Sequence, residues 1–165
     1  MELGSLASIF VIALSPMVPL LLGAVGEIIT ERSGVVNIGI EGILLLSALT
    51  AAVVSFFTGN VLLALLVGVA TGVVLGAFHG IISVYLRGDQ IVAGVGLNLL
   101  AYGLAVTSLF KIWSVFGASP PVPTVPKWVV AGYGISPMVP ISVAIAVVAW
   151  FVLFSTNLGL KLRAC

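Results

Sequence analysis

Residues 27–42, EIITERSGVVNIGIEG, gather four charged side chains in a chain of 165 residues that has only six basic and five acidic ones. The four are Glu27, Glu31, Arg32 and Glu41, and Asn37 adds an amide between them. Apolar sequence long enough to cross a bilayer lies on both sides. Ionisable groups at or inside a membrane are costly, so they are usually kept for pairing, cavities or pathways. The stretch is therefore the first candidate for a functional site.

The composition of the chain is that of an integral membrane protein. Hydrophobic residues make up 61% of it and charged residues 7%, and the mean hydropathy is +1.36. A soluble domain is roughly a quarter charged. Backbone groups in lipid must satisfy their hydrogen bonds internally, which favours helices. We predict an all-α, polytopic protein whose residues 1–165 form one transmembrane domain in the lipid bilayer.

Uncharged runs between turn signals predict about five transmembrane helices. They cover roughly residues 6–25, 35–58, 61–86, 90–110 and 139–154, with turn signals at 59–60 and 87–89. Pro16 and Pro19 should kink the first helix, since each removes a backbone donor. The uncharged run of residues 3–26 is longer than the core of a signal peptide, so we expect this helix to be retained rather than cleaved.

The second helix must begin inside the charged stretch. Residues 42–58 are free of charge but are too few for a spanning helix, which needs about 20 residues. We therefore predict that the helix is broken or starts within the membrane, near Val35, and carries Asn37 and Glu41 on one face with the small residues at 48, 52 and 55.

Two further helices carry periodic small or polar residues. The third has a glycine at every fourth position, at Gly68, Gly72, Gly76 and Gly80, which predicts close helix packing. His79 lies beside this ridge, where an interhelical hydrogen bond is the favoured interpretation over a metal ligand or proton relay, since no second ligand is in view. The fourth helix repeats Gln90, Gly94, Asn98 and Tyr102, a stripe that should face other helices.

Basic residues predict the orientation. Residues 111–138 hold five prolines with Trp113, Trp128 and Tyr133, and this pattern indicates a loop at the aqueous interface. Helix alternation puts Arg32, Arg87, Lys161 and Arg163 on one side of the membrane and Lys111 and Lys127 on the other. Basic residues favour the cytoplasmic side. We predict an outside N-terminus, a cytoplasmic C-terminus and an extracytoplasmic loop at 111–138.

Enzymatic functions find no support in the residues. The chain lacks a phosphate-binding loop, a His-Glu-x-x-His motif and a nucleophile elbow. His79 is the sole histidine, Asp89 the sole aspartate and Cys165 the sole cysteine, which argues against a catalytic, metal or cofactor site. No basic run suggests nucleic-acid binding. A transporter or channel subunit is the remaining interpretation.

Several motifs resemble those of one family. ERSGVVNIGIEG at 31–42 is similar to a motif of ABC importer permeases of the simple-sugar and nucleoside type, in the superfamily of branched-chain amino-acid and ribose permeases. LRGDQIVAGVGLNLL at 86–100 resembles a second motif, and the glycine-rich third helix fits a third. LGLKLRAC at 158–165 is similar to the opening of the cytoplasmic segment that contacts the ATPase. Such permeases are near twice this length, so the chain resembles their N-terminal half, whether as a truncated, split or partial chain.

The resemblance implies a transport subunit rather than an enzyme. Its partners would be ABC ATPase subunits, a second permease subunit, identical or different, and an extracytoplasmic substrate-binding protein. Residues 157–165 would begin the coupling segment, with ATPase contacts from Gly159, Lys161 and Arg163. The alternatives are a branched-chain amino-acid permease of the same superfamily and, in another class, a helical scaffold subunit that transports nothing.

The candidate substrate path follows from the polar residues of three helices. Its members are Asn37, Glu41, His79, Gln90 and Asn98. Related permeases have a broken second helix at this point, near the membrane midplane. Each of the five residues has a structural alternative, because polar groups in membrane helices also hydrogen-bond to neighbouring helices. Nucleosides and sugars offer hydroxyls and ring nitrogens, which suit uncharged donors and acceptors such as Asn37 and Asn98.

Overall fold

The computed structural model describes residues 3–130 and 133–164, and the side chains of 8–129 and 134–164. Its elements are α1 (Leu3–Arg32), α2 (Ile40–Thr58), α3 (Val61–Gly80) with a following π-helical turn (Ile81–Tyr85), α4 (Gln90–Trp113), β1 (Trp128–Val130), β2 (Tyr133–Ile135), α5 (Met138–Ser155) and α6 (Asn157–Arg163). Within the described residues, five helical segments are long and apolar enough to cross a membrane. The predicted all-α fold with about five spans is confirmed.

The first helix is longer than the sequence predicted. α1 continues through Arg32, whereas the expected end was residue 25. Nothing between residues 26 and 32 breaks a helix, and the charged side chains there are good helix formers. The sequence therefore becomes less hydrophobic after residue 25 while the backbone stays helical. At about 45 Å, thirty residues exceed the hydrocarbon thickness. Pro16 and Pro19 lie inside α1.

The second helix begins later than predicted. Helical backbone starts at Ile40, so the expected start near Val35 is wrong, and Asn37 does not lie on a face of α2. Residues 35–39 are non-helical between the end of α1 and the start of α2. Gly34 precedes them with φ of 82°, a conformation that glycine adopts at little cost. The start near Val35 was predicted from the length that one regular helix needs to span the membrane, whereas non-helical residues 35–39 precede the 19 residues of α2.

The predicted turns at 59–60 and 87–89 are confirmed. Gly59 ends α2 in the left-handed conformation, and the Asn60 side chain caps α3 by accepting from the Leu63 N–H at 3.1 Å. Asp89 caps α4 by accepting from the N–H groups of Ile91 and Val92, both at 2.9 Å. Side chains of this type satisfy N–H groups that a helix leaves without partners.

The chain divides into two compact units, and one of them comprises residues 35–124. α2 packs against both α3 and α4 in this unit around the buried residues Leu46, Ala64, Leu97, Ala101, Ala105 and Leu109. A Cβ at Gly68 would lie 3.1 Å from Ser47 O, and one at Gly72 would lie 3.2 Å from Ser47 Oγ, so α2 and α3 approach closely there. A Cβ at Gly76 or Gly80 meets nothing within 4 Å, and packing at these two stays a prediction.

The other unit comprises residues 1–34 and 125–165, of which α1, the hairpin, α5 and α6 are described. α1 packs along α5. The antiparallel strands pair Trp128 with Ile135 and Val129 with Gly134. The hairpin lies inside the predicted loop at 111–138, into which α4 also extends. The sequence did not predict it because three-residue strands are too short to show an alternating pattern.

Candidate functional site at the break before the second helix

In the non-helical segment 35–39, both backbone groups of Val36 contact side chains of other helices. The Val36 N–H donates to Gln90 Oε1 at 2.7 Å, and Val36 O lies 3.4 Å from His79 Nε2. Irregular backbone at membrane depth is tolerated where it is buried in protein or lines a cavity, because each unsatisfied group is costly in lipid. Gln90 of α4 and His79 of α3 therefore both stabilise the break at Val36.

Asn98 bonds to the backbone on both sides of the start of α2. Its Oδ1 accepts from the Gly42 N–H at 2.7 Å, and its Nδ2 donates to Ile38 O at 2.9 Å. The first N–H groups of a helix have no partner inside it, and α2 has no side-chain cap of its own at Gly39. The Asn98 amide thus serves as the cap of α2 from a neighbouring helix.

Gly94 allows the backbone of α4 to approach the break closely. A Cβ at Gly94 would lie 2.7 Å from Gly39 N and 3.2 Å from the Ile38 carbonyl carbon. The side-chain bonds at Gln90 and Asn98 lie on either side of this contact. The stripe of α4 therefore follows the break and the start of α2 in order. Gln90 contacts Val36, Gly94 lies against Gly39, and Asn98 contacts Gly42.

His79 contacts the non-helical break, whereas the sequence favoured a hydrogen bond to another helix. The imidazole is 3% exposed, and Nε2 lies 3.4 Å from both Val36 O and Ser83 Oγ. A carbonyl oxygen only accepts, so the contact with Val36 requires the tautomer that carries its proton on Nε2. Among the described residues, no group of three His, Cys, Asp or Glu side chains could hold a metal ion.

A groove of about 170 Å³ opens beside the start of α2. It is lined by Glu41, Gly42, Leu45, Val95, Asn98, Leu99 and Tyr102. Within the described part of the chain, the Glu41 side chain is exposed and makes no hydrogen bond, and Tyr102 is 67% exposed. A carboxylate, an amide and a phenol therefore share one groove with apolar walls, an arrangement that can bind a ligand with hydroxyl groups.

The structure separates the five predicted path residues into two groups. Glu41 and Asn98 line the groove. Gln90 and His79 instead bond to the backbone of Val36, and Asn37 is buried, with 8% of its surface exposed. Tyr102 also lines the groove, but it was absent from the predicted path. Its signal was present in the sequence, since Tyr102 continues the four-residue stripe of α4.

The predicted coupling residues lie at the corner between α5 and α6. Gly159 is buried there, and a Cβ on it would overlap the carbonyl oxygens of Val152 and Leu153. Lys161 is exposed, and Arg163 folds back so that its guanidinium lies 5.4 Å from the centre of the Phe154 ring. Their contact with an ATPase stays a prediction.

Comparisons with known proteins identify the family. The family model described as the permease component of branched-chain amino acid transport systems matches residues 9–165. The guanosine ABC transporter permease NupQ of Bacillus subtilis is 33% identical, and 88% of this chain aligns with 51% of that protein. The putative glucose ABC transporter permease TsgC13 of Haloferax volcanii is 36% identical, with 88% and 47% covered. The nucleoside ABC transporter permease NupC of Lactococcus lactis is 30% identical, with 88% and 51% covered.

The chain spans about half the length of the curated relatives it matches. No solved structure matches the chain. The match to the family model covers nearly the whole sequence, and the resemblance drawn from the motifs is confirmed. The chain belongs to the permease-component family of branched-chain amino acid transport systems.

Proposed function

We propose that the chain is the N-terminal half of a permease subunit of an ABC importer that carries nucleosides or simple sugars across the plasma membrane. Three relatives support this substrate class, because their names assign them guanosine, nucleosides and glucose. The family description names branched-chain amino acids instead, and this remains the competing substrate class.

The groove beside the break is the observation that carries the proposal. Asn98 and Tyr102 offer an amide and a hydroxyl there, and Glu41 offers two carboxylate oxygens. A ribose or hexose presents several hydroxyls that both donate and accept. A branched-chain amino acid would instead require a partner for its ammonium and its carboxylate, and no basic side chain lines the groove among the described residues.

The assembly follows from the same proposal. ATPase subunits bind on the cytoplasmic side and hydrolyse ATP, a second permease subunit completes the pathway, and an extracytoplasmic binding protein delivers the substrate. The N-terminus lies outside and the C-terminus inside. At the corner after α5, Gly159 permits the turn, Lys161 contacts the ATPase, and Arg163 holds α6 against Phe154 for this contact.

Glu41→Gln tests the substrate path. In cells that contain the complete permease and its partners, we expect uptake of labelled guanosine to fall at least about tenfold, since a hydrogen bond to a charged group contributes roughly 1.5–3 kcal/mol. The matched control is Glu31→Gln, which alters an exposed carboxylate on α1 and should leave uptake unchanged. The amount of permease in the membrane is measured for both variants.

Three results would contradict parts of the proposal. Equal uptake by Glu41→Gln and the unaltered protein would remove Glu41 from the path and leave it a helix-terminal carboxylate that interacts with the α2 dipole. Uptake of leucine but not of guanosine or glucose would favour the amino-acid permease. A complex that assembles but takes up none of the three compounds would favour the scaffold.

A further inference from the structure

Two arginines share one aromatic ring in the unit that contains α1 and α5. The guanidinium of Arg32, at the end of α1, lies 5.7 Å from the centre of the Phe154 ring, and that of Arg163 in α6 lies 5.4 Å from it. Arg163 Nε also donates to Gly159 O at 3.3 Å. Neither guanidinium forms an ion pair within the described residues. Two like charges thus share one aromatic ring, without an acidic partner among the residues that the structure describes.

An apolar groove of about 90 Å³ begins at the same ring. Its walls come from α1 and α5 and include Val25, Ile28, Ala146, Ala149, Trp150 and Phe154. Phe154 belongs to both features, since it lines the groove and its ring centre lies 5.7 and 5.4 Å from the two guanidinium groups. The two features together form an apolar slot that ends in a pair of cations.

We propose that this slot binds one anionic glycerophospholipid, with part of an acyl chain in the groove and the phosphate at the arginines beside the Phe154 ring. Guanidinium groups bind phosphate through paired hydrogen bonds. Arg32 is the last residue of one membrane span and Arg163 follows the end of another, which puts both at headgroup level and the groove at acyl-chain depth. An acidic segment of a partner protein could neutralise the arginines, but it would not fill a groove between spanning helices that lipid surrounds.

The test measures lipid binding to the purified protein by native mass spectrometry. We expect phosphatidylglycerol to bind more tightly than phosphatidylcholine of the same chain length. Arg32→Gln and Arg163→Gln should each lower the affinity for phosphatidylglycerol about fivefold, and the double variant about thirtyfold, since a basic residue near an anionic lipid surface contributes about 1 kcal/mol. Arg87→Gln, at an exposed arginine of the other unit, should leave the affinity unchanged.

Two further variants separate the lipid from other occupants. Ala146→Phe fills the groove and should weaken phosphatidylglycerol binding without affecting the binding of inorganic phosphate. The double Arg→Lys variant keeps both charges and should keep the preference for phosphatidylglycerol, which guards against a loss caused by misfolding. Helix content is checked by circular dichroism for every variant.

Three outcomes would overturn the proposal. The first is unchanged phosphatidylglycerol binding by the double Arg→Gln variant. The second is a site that binds inorganic phosphate as tightly as the lipid and ignores Ala146→Phe, which would make it a simple anion site. The third is loss of the ATPase subunit from the double Arg→Gln variant with lipid binding unchanged, which would assign the arginines to a protein partner.

Discussion

Replacement of Gly94 by leucine is expected to destabilise the protein by roughly 3 kcal/mol, at the upper end of the usual cost of overpacking. The new Cβ would lie 2.7 Å from Gly39 N, and the rest of the side chain would have to enter the space of the break. The neighbour is backbone and cannot rotate away. The midpoint of thermal unfolding, followed by circular dichroism in detergent, should fall by roughly 10 °C.

Gly96→Leu is the matched control. It makes the same substitution on the same helix, two residues away, where a Cβ meets nothing within 4 Å. Leucine is a better helix former than glycine, so this variant should be at least as stable as the unaltered protein. If both variants unfolded at the same temperature, the close approach of α4 to the break would be contradicted.

Asn98→Leu is expected to cost a similar amount, about 2–4 kcal/mol, and to release the start of α2. The Gly42 N–H and Ile38 O would both lose their partners. An unsatisfied buried group costs about 1–3 kcal/mol, and Ile38 O adds less because its bond is exposed. Hydrogen–deuterium exchange over residues 36–44 should accelerate in this variant. Uptake by the complete importer should fall with it, because the groove is built on the same amide.

Two further substitutions serve as comparisons for Asn98→Leu. Asn98→Asp keeps the acceptor for the Gly42 N–H and removes the donor to Ile38 O, so its loss of stability should be intermediate. Thr107→Val, on the same helix, removes a hydroxyl that bonds only to Gly103 O of its own helix and should change stability by less than about 0.5 kcal/mol. Exchange at 36–44 that stayed slow in Asn98→Leu would show that the amide does not hold the break.

The sequence predicted features that depend on composition and local pattern. The spans follow from long uncharged runs, and the turns at 59–60 and 87–89 follow from Gly59, Asn60 and Asp89, whose side chains or conformations end and begin helices locally. The stripe of α4 was also visible, since its period of four places one face of a helix against its neighbours.

Features that depend on distant partners were not predictable in detail. Whether residues 35–39 form a helix is decided by Gln90, Asn98 and His79, which supply the hydrogen bonds that a helix would otherwise make internally. The contact of Gly39 with Gly94 joins residues far apart in the chain. Predictions from single stretches assigned Asn98 and Gln90 to a stripe, but could not show which backbone groups they meet.

The central claim is that the substrate passes along the groove of Glu41, Asn98 and Tyr102, and cysteine protection tests it most directly. In a complete importer whose native cysteines, Cys165 included, are replaced by serine, Tyr102→Cys is labelled with a water-soluble thiol reagent, with Thr107→Cys as the control outside the groove. Guanosine delivered by the binding protein should slow labelling at position 102 and leave position 107 unaffected, while leucine should slow neither. Labelling at 102 that guanosine, glucose and leucine all leave unchanged would contradict the account.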